Sequence, residues 1–144
     1  GADAPPAAPG AIAPQAVTTA TLLLVEDDPG VRIIERRLLE LAGHLVLEAE
    51  AGDGALELVR AYTGTIDLVL CDLVLPGQNG PEVVAALRQL RPGLRALFVS
   101  GHSPEMALRL GAPPNHPFVQ KPFSAAEIQD AVRRALSDPT PEAR

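Results

Sequence analysis

The sequence predicts a doubly wound α/β fold, and three observations carry that expectation. Between residues 21 and 136, five short apolar runs alternate with five stretches of helical character. The runs are continuously apolar, which suits strands buried on both faces and hence a parallel sheet with helices on both sides. Right-handed crossovers leave few topologies, and the flavodoxin-like (βα)5 order 2-1-3-4-5 is the common one at this size. At 144 residues and 47% hydrophobic, the chain suits one domain with a real core.

Each element has its own signals. Thr21 to Val25 is a short apolar strand. Asp28 as N-cap and Pro29 at the first helical position open the first helix. Ile33, Ile34, Leu38 and Leu41 are expected to form its apolar face, and Gly43 to end it. His44 to Glu48 reads as the second strand, and Ala51 to Tyr62 as the second helix with Leu56 and Val59 inward. Ile66 to Cys71 is the third strand, and Pro81 to Leu90 the third helix, stopped by Pro92-Gly93. Leu94 to Val99 is the fourth strand. Ser103-Pro104-Glu105 caps a short fourth helix, which Gly111, Pro113 and Pro114 end early. Pro117 to Gln120 is the fifth strand, and Ser124 to Leu136 the last helix, with a capping box from Ser124 to Glu127.

The ends differ from this middle. Residues 1–20 hold eight Ala and four Pro with one charged side chain, Asp3, and are expected to be a disordered linker or a tag remnant. The chain opens on Gly1 rather than Met, as a cleaved tag or an excised fragment would. Residues 21–136 form the folded unit, and residues 137–144, with Pro139 and Pro141, a flexible tail.

Composition excludes several classes. A net charge of −6 without a basic stripe or an aromatic platform argues against nucleic acid as a partner. No apolar run approaches a membrane span, and no signal peptide is visible. The single Cys71 forms no internal disulfide and fits a reducing compartment, hence an expected cytoplasmic location.

Polar groups gather where the strands end. Glu26, Asp27 and Asp28 follow the first strand, Asp72 the third, Ser100 the fourth and Lys121 the fifth. In the order 2-1-3-4-5 these strands are neighbours, so the groups converge on the carboxyl edge, where such sheets bind ligands. Carboxylates on adjacent strands, roughly 5 Å apart, repel unless a cation lies between them or one is protonated. Oxygen donors flanked by an ammonium suit Mg²⁺ and phosphate oxygens. An Asp beside a divalent ion, a hydroxyl and an ammonium is equipped to take a phosphoryl group. Lys121 is the only lysine among 12 basic residues, and a compact point charge at that place suits an anion.

Four motifs in order resemble the receiver domain of bacterial two-component response regulators. They are Leu22-Leu23-Leu24-Val25-Glu26-Asp27-Asp28-Pro29, Cys71-Asp72-Leu73-Val74-Leu75-Pro76-Gly77 with Gly80, Val99-Ser100-Gly101, and Lys121-Pro122-Phe123. The resemblance implies Asp72 as phosphoacceptor and a Mg²⁺ site made by Asp27, Asp72, the backbone carbonyl of Val74, and Glu26 through water. It implies that Ser100 and Lys121 bind the phosphoryl group, that Phe118 is the switch aromatic, and that Lys121–Pro122 is a cis peptide. The implied partner is a histidine kinase or a histidine phosphotransfer domain. The string Phe118 to Phe123, the short fourth helix and the Pro/Ala-rich leader look like the C-terminal receiver of a hybrid sensor histidine kinase, a kind of parent that can be anchored in the membrane. A stand-alone single-domain regulator would read almost the same. The short fourth helix leads us to expect a monomer or weak dimer.

This chain departs from the family's commonest pattern at Glu26 (usually Asp), Ser100 (more often Thr) and Phe118 (often Tyr). Val74 carries no group to orient an attacking water. Two other classes compete. An interaction module that lost phosphorylation is disfavoured by the intact Asp27, Asp72, Ser100 and Lys121. An aspartate-nucleophile phosphatase usually has a second Asp where Val74 stands. Asp28 is expected to cap a helix, Asp67 and Glu82 to be solvated, Cys71 to be a small buried residue and His44 to be structural. His102 is a candidate for the rim of the site.

Overall fold

In chain order the elements are β1 (Thr21–Val25), α1 (Pro29–Leu41), β2 (Leu45–Ala49), α2 (Gly52–Ala61), β3 (Leu68–Asp72), β4 (Val74–Leu75), β5 (Gln78–Asn79), α3 (Gly80–Leu90), β6 (Arg95–Ser100), α4 (Pro104–Arg109), β7 (Phe118–Gln120) and α5 (Ala125–Ser137). The computed structural model describes residues 19–112, 114 and 116–137. The expected linker up to residue 18, Pro113 of the fourth helix's stop and the tail from residue 138 lie outside them. Five strands pair in parallel in the order β2-β1-β3-β6-β7. Counting the main-sheet strands alone, this is 2-1-3-4-5, the doubly wound order expected.

Side-chain alternation divides the core into two layers. Leu23, Val25, Val69, Cys71 and Phe98 pack on one face against α2 and α3 through Ala55, Val59, Val83, Val84 and Leu87. Leu22, Leu24, Leu68, Leu70, Leu97 and Val119 pack on the other against Leu39 of α1 and Ile128, Ala131, Val132 and Ala135 of α5. Each fully buried Leu or Val contributes roughly 1.5–3 kcal/mol of transfer free energy.

Helix α1 differs from its expected orientation. Ile33, Ile34 and Leu41 are 45%, 59% and 80% exposed, while Glu35 and Leu39 are buried. The inward stripe runs through residues 35 and 39, one turn apart, with Leu38 half-buried beside it. Ile34 and Leu41, two turns apart, share a flank, and Ile33 points away from the stripe. A count of apolar residues favours the flank, because one inward position is filled by a carboxyl.

Local chemistry fixes the helix starts. Asp28 Oδ1 accepts from the N–H groups of Gly30 and Val31 at 2.9 and 3.2 Å. Asn79 and Glu82 form a reciprocal capping box at the start of α3, so Glu82 is a cap partner rather than merely solvated. Ser124 and Glu127 do the same at α5. Asp67 is likewise more than solvated, since its Oδ2 accepts from the Thr21 N–H at 2.8 Å and pins the start of β1. His44 Nδ1 accepts from the Ala20 N–H at 3.1 Å beside it, and burial holds its pKa below the usual value.

A short antiparallel hairpin, β4–β5, follows β3 directly. Gly80 closes it, its N–H donating to the Leu73 carbonyl at 2.6 Å. A Cβ at Gly80 would lie 2.3 Å from the Asp72 carbonyl oxygen, so only glycine allows this approach.

Candidate functional site

The period of the strands places the polar groups. Leu22 and Leu24 of β1, Leu68 and Leu70 of β3, and Val119 of β7 all face the α1/α5 layer. Continued past the strand ends, that alternation brings Glu26, Asp72 and Lys121 to the same side. Lys121 Nζ lies 3.0 Å from Glu26 Oε1 and 3.1 Å from Asp72 Oδ1. Asp27 is exposed and joins the other two carboxylates, with one oxygen from each of the three within 4.8 Å of the others.

Glu26 is held on every side. Its Oε1 accepts from Lys121, and its Oε2 accepts from the Asp28 N–H at 3.1 Å. Its own N–H donates to the Ala49 carbonyl at 3.1 Å. Its carbonyl accepts from Arg32 Nη1 at 2.7 Å, and Arg32 Nε reaches Glu48 Oε1 at 3.2 Å. Arg36 pairs with the same Glu48. Arg32 thus ties the first acidic residue to α1 and β2, a role absent from the sequence-based expectations. An Arg one turn into a helix that follows an acidic pair is the signal that could have found it.

Asp72 ends β3 and is 7% exposed. The Cys71 thiol donates to its carbonyl at 3.3 Å, and burial pushes that thiol's pKa far up, leaving Cys71 a small buried group. The Asp72 carboxyl is pushed up to about 8, first by burial and then by Glu26 beside it, against the pull of Lys121. Lys121 is driven down by burial, but Asp72 and Glu26 outweigh that and leave its pKa raised. The site is therefore short of positive charge: among the described residues, three clustered carboxylates lie at one ammonium, which pairs with two of them.

Ser100 ends β6, buried, with its Oγ accepting from the His102 N–H at 2.9 Å. His102 borders the site through its backbone, while its side chain is exposed. The Ser100 carbonyl accepts from the Lys121 N–H at 2.7 Å, which locks the last strand to its neighbour at the site. The Lys121–Pro122 peptide is cis. Phe118 is half-buried on β7, over a cavity of about 130 Å³ that Phe98, Ala107, Leu108 and Ala112 also line. Val74 opens β4, 48% exposed, two residues past Asp72.

The donor set fits a hard divalent cation. All three groups offer oxygen, none offers nitrogen or sulfur, and their spacing lets one ion reach all of them. No helix of the described chain is long and apolar enough to cross a membrane.

Comparison with known proteins adds to this geometry. The model of the response regulator receiver domain family matches residues 22–133. The sensor kinase CckA of Brucella abortus (strain 2308) is 37% identical over 119 residues, 82% of this chain and 13% of CckA. The DNA-binding transcriptional regulator NtrC of Azospirillum brasilense is 30% identical over 129 residues, 88% of this chain and 26% of NtrC. The chain thus spans about a quarter or less of these curated relatives. The crystal structure of the receiver domain from the hybrid histidine kinase CckA superposes with a TM-score of 0.67 at 31% identity, covering 81% of this chain and 98% of that one.

Proposed function

Since the chain belongs to the response regulator receiver domain family of two-component signalling, we propose that Asp72 is the residue on which it accepts a phosphoryl group. The observation that carries this reading is the ammonium of Lys121 set between Glu26 and Asp72, with Asp27 closing the acidic cluster. The donor is a phosphohistidine of a histidine kinase or histidine phosphotransfer domain. An Asp72 oxygen attacks phosphorus, the phosphorus–nitrogen bond breaks, and the imidazole leaves with the electron pair.

Mg²⁺ is the ion we assign to the cluster, held by Glu26, Asp27, Asp72 and the Val74 carbonyl. When bound, it supplies the positive charge that ionises Asp72 and neutralises phosphoryl oxygens. Lys121 and the Ser100 hydroxyl then bind phosphoryl oxygens. As Lys121 turns from Glu26 to the phosphoryl group, the end of β7 and the Ser100 loop draw inward, and Phe118 repacks toward the cavity beneath α4.

Residues 21–136 act as the receiver unit, which Ala20 of the core and Ser137 of α5 extend by one residue at each end. The likeness to CckA supports a hybrid sensor histidine kinase as parent, so kinase activity belongs to the parent and not to this domain. The domain works in the cytoplasm, as a monomer or weak dimer, without contact to membrane or nucleic acid.

Incubation with a small phosphodonor and Mg²⁺ tests the reading. Intact mass should rise by one phosphate in the wild type and not in Asp72→Asn. Incorporation at the wild-type rate in Asp72→Asn would show that the phosphoryl group goes elsewhere. No incorporation in either would favour a phosphorylation-independent interaction module.

A further inference from the structure

Strand β1 outruns its neighbour at the edge of the sheet. Val25 pairs with Ala49, the last residue of β2, and the Glu26 N–H still donates to the Ala49 carbonyl at 3.1 Å. There the ladder to β2 stops, and the Glu26 carbonyl accepts from the side chain of Arg32, Nη1, at 2.7 Å. That carbonyl belongs to the peptide joining Glu26 to Asp27. The peptide is planar, so its tilt is felt at both Cα atoms and in the direction of both carboxylates.

Arg32 is itself braced. Its Nε donates to Glu48 Oε1 at 3.2 Å, and Arg36 pairs with the other oxygen of Glu48. The side chains of Arg32 and Glu48 are 18% and 28% exposed, so the pair is shielded better than an ordinary surface ion pair. The backbone of Arg32 is fixed too, because its N–H donates to the carbonyl of the capping residue Asp28 at 2.9 Å. One guanidinium thus joins the first turn of α1, the edge strand β2 and the turn that carries Glu26 and Asp27. A planar fork can serve two acceptors at once in fixed directions, which the point charge of a lysine does not.

We propose that Arg32 is a positioning residue for the divalent cation: by holding the Glu26–Asp27 peptide against Glu48 it presets both carboxylates and thereby sets the affinity for Mg²⁺. The effect on Mg²⁺ rests on the metal reading above, while the hold on the peptide stands on the hydrogen bonds alone. Mg²⁺ demands near-ideal octahedral geometry, so a loosened turn should bind it less well. Groups that orient metal ligands from behind typically govern affinity by ten-fold or more. The charge of Arg32 acts in the opposite sense, since a cation repels a cation. Geometry and charge therefore make opposite predictions for a neutral variant.

The wild type, Arg32→Lys and Arg32→Met are titrated with Mg²⁺ by calorimetry. The carbonyl-carbon NMR signal of Glu26 is recorded in each metal-free protein, and urea unfolding is measured alongside. Arg32→Lys should bind Mg²⁺ roughly ten-fold more weakly. Arg32→Met should also bind it more weakly, although a repelling charge is gone. The Glu26 carbonyl signal should move in both. Wild-type Mg²⁺ affinity in folded Arg32→Lys overturns the proposal, even if its stability falls, because a merely structural arginine would give that pattern. Tighter binding in Arg32→Met overturns it as well, by showing that charge outweighs geometry. Should Arg32→Met fail to fold, Arg32→Lys decides alone. Failure of the wild type to bind Mg²⁺ would sink the metal reading and the effect on affinity with it. The Glu26 carbonyl signal would then still decide whether Arg32 holds the peptide, an unmoved signal in Arg32→Lys counting against it.

Discussion

Lys121 Nζ stands 3.1 Å from Asp72 Oδ1 and 3.0 Å from Glu26 Oε1, so one ammonium is shared by the carboxylates that end two neighbouring strands. An added phosphoryl group would change the balance of that sharing. Lys121→Arg keeps the charge but replaces a compact donor with a planar fork. The variant should still accept phosphate, while the beryllofluoride-induced NMR shifts near Phe118 should shrink. A full wild-type response in Lys121→Arg would show that any cation serves there.

Gly80→Ala should destabilise the domain by about 1–3 kcal/mol in urea unfolding, the usual range for forced overpacking. The added Cβ would run into the Asp72–Leu73 peptide, 2.3 Å from the Asp72 carbonyl oxygen and 3.0 Å from the Leu73 Cα. The strand end carrying Asp72 must shift to admit it, so phosphorylation should slow as well. A variant of wild-type stability and rate would refute this account of the hairpin closure.

Asp27→Ala should weaken Mg²⁺ binding, measured by calorimetry or NMR titration, by roughly ten-fold or more, since it removes one of three clustered carboxylates. Equal affinities in the two proteins would remove Asp27 from the site.

The stability of the wild type should fall as pH rises across the range in which Glu35 differs between folded and unfolded chains. Its folded value is raised to about 7 from 4.5, so the folded state holds a proton that the unfolded state has lost. The stabilisation relative to a permanently ionised group is complete below the unfolded value and is lost as pH rises through the folded one. Relative to Glu35→Gln, the wild type should lose about 3 kcal/mol over that interval, at 1.36 kcal/mol per pKa unit. Parallel pH profiles for the two proteins would mean that Glu35 titrates normally.

The sheet is legible in the sequence because its strands are buried on both faces and leave continuous apolar runs, such as Leu68 to Cys71. Crossover handedness narrows the strand order to a few, of which 2-1-3-4-5 is the common one, and in that order Glu26, Asp72, Ser100 and Lys121 meet at one edge. What stays hidden depends on contacts between distant segments. The pinning of β1 by Asp67 and the grip of Arg32 on the Glu26 carbonyl join residues that no local pattern pairs. The inward face of α1 escapes periodicity because Glu35 interrupts the apolar stripe. The hairpin of Val74–Leu75 and Gln78–Asn79 is too short to leave a periodic signal.

Mapping the phosphoryl group to a residue tests the central claim most directly. The wild type is phosphorylated with a small donor and Mg²⁺, reduced with borohydride to convert an acyl phosphate into a stable alcohol, and digested with trypsin. The account predicts that the modified peptide spans residues 61–88, which lie between Arg60 and Gln89, with fragmentation placing homoserine at Asp72. Modification at Glu26, Asp27 or any residue other than Asp72 would contradict it.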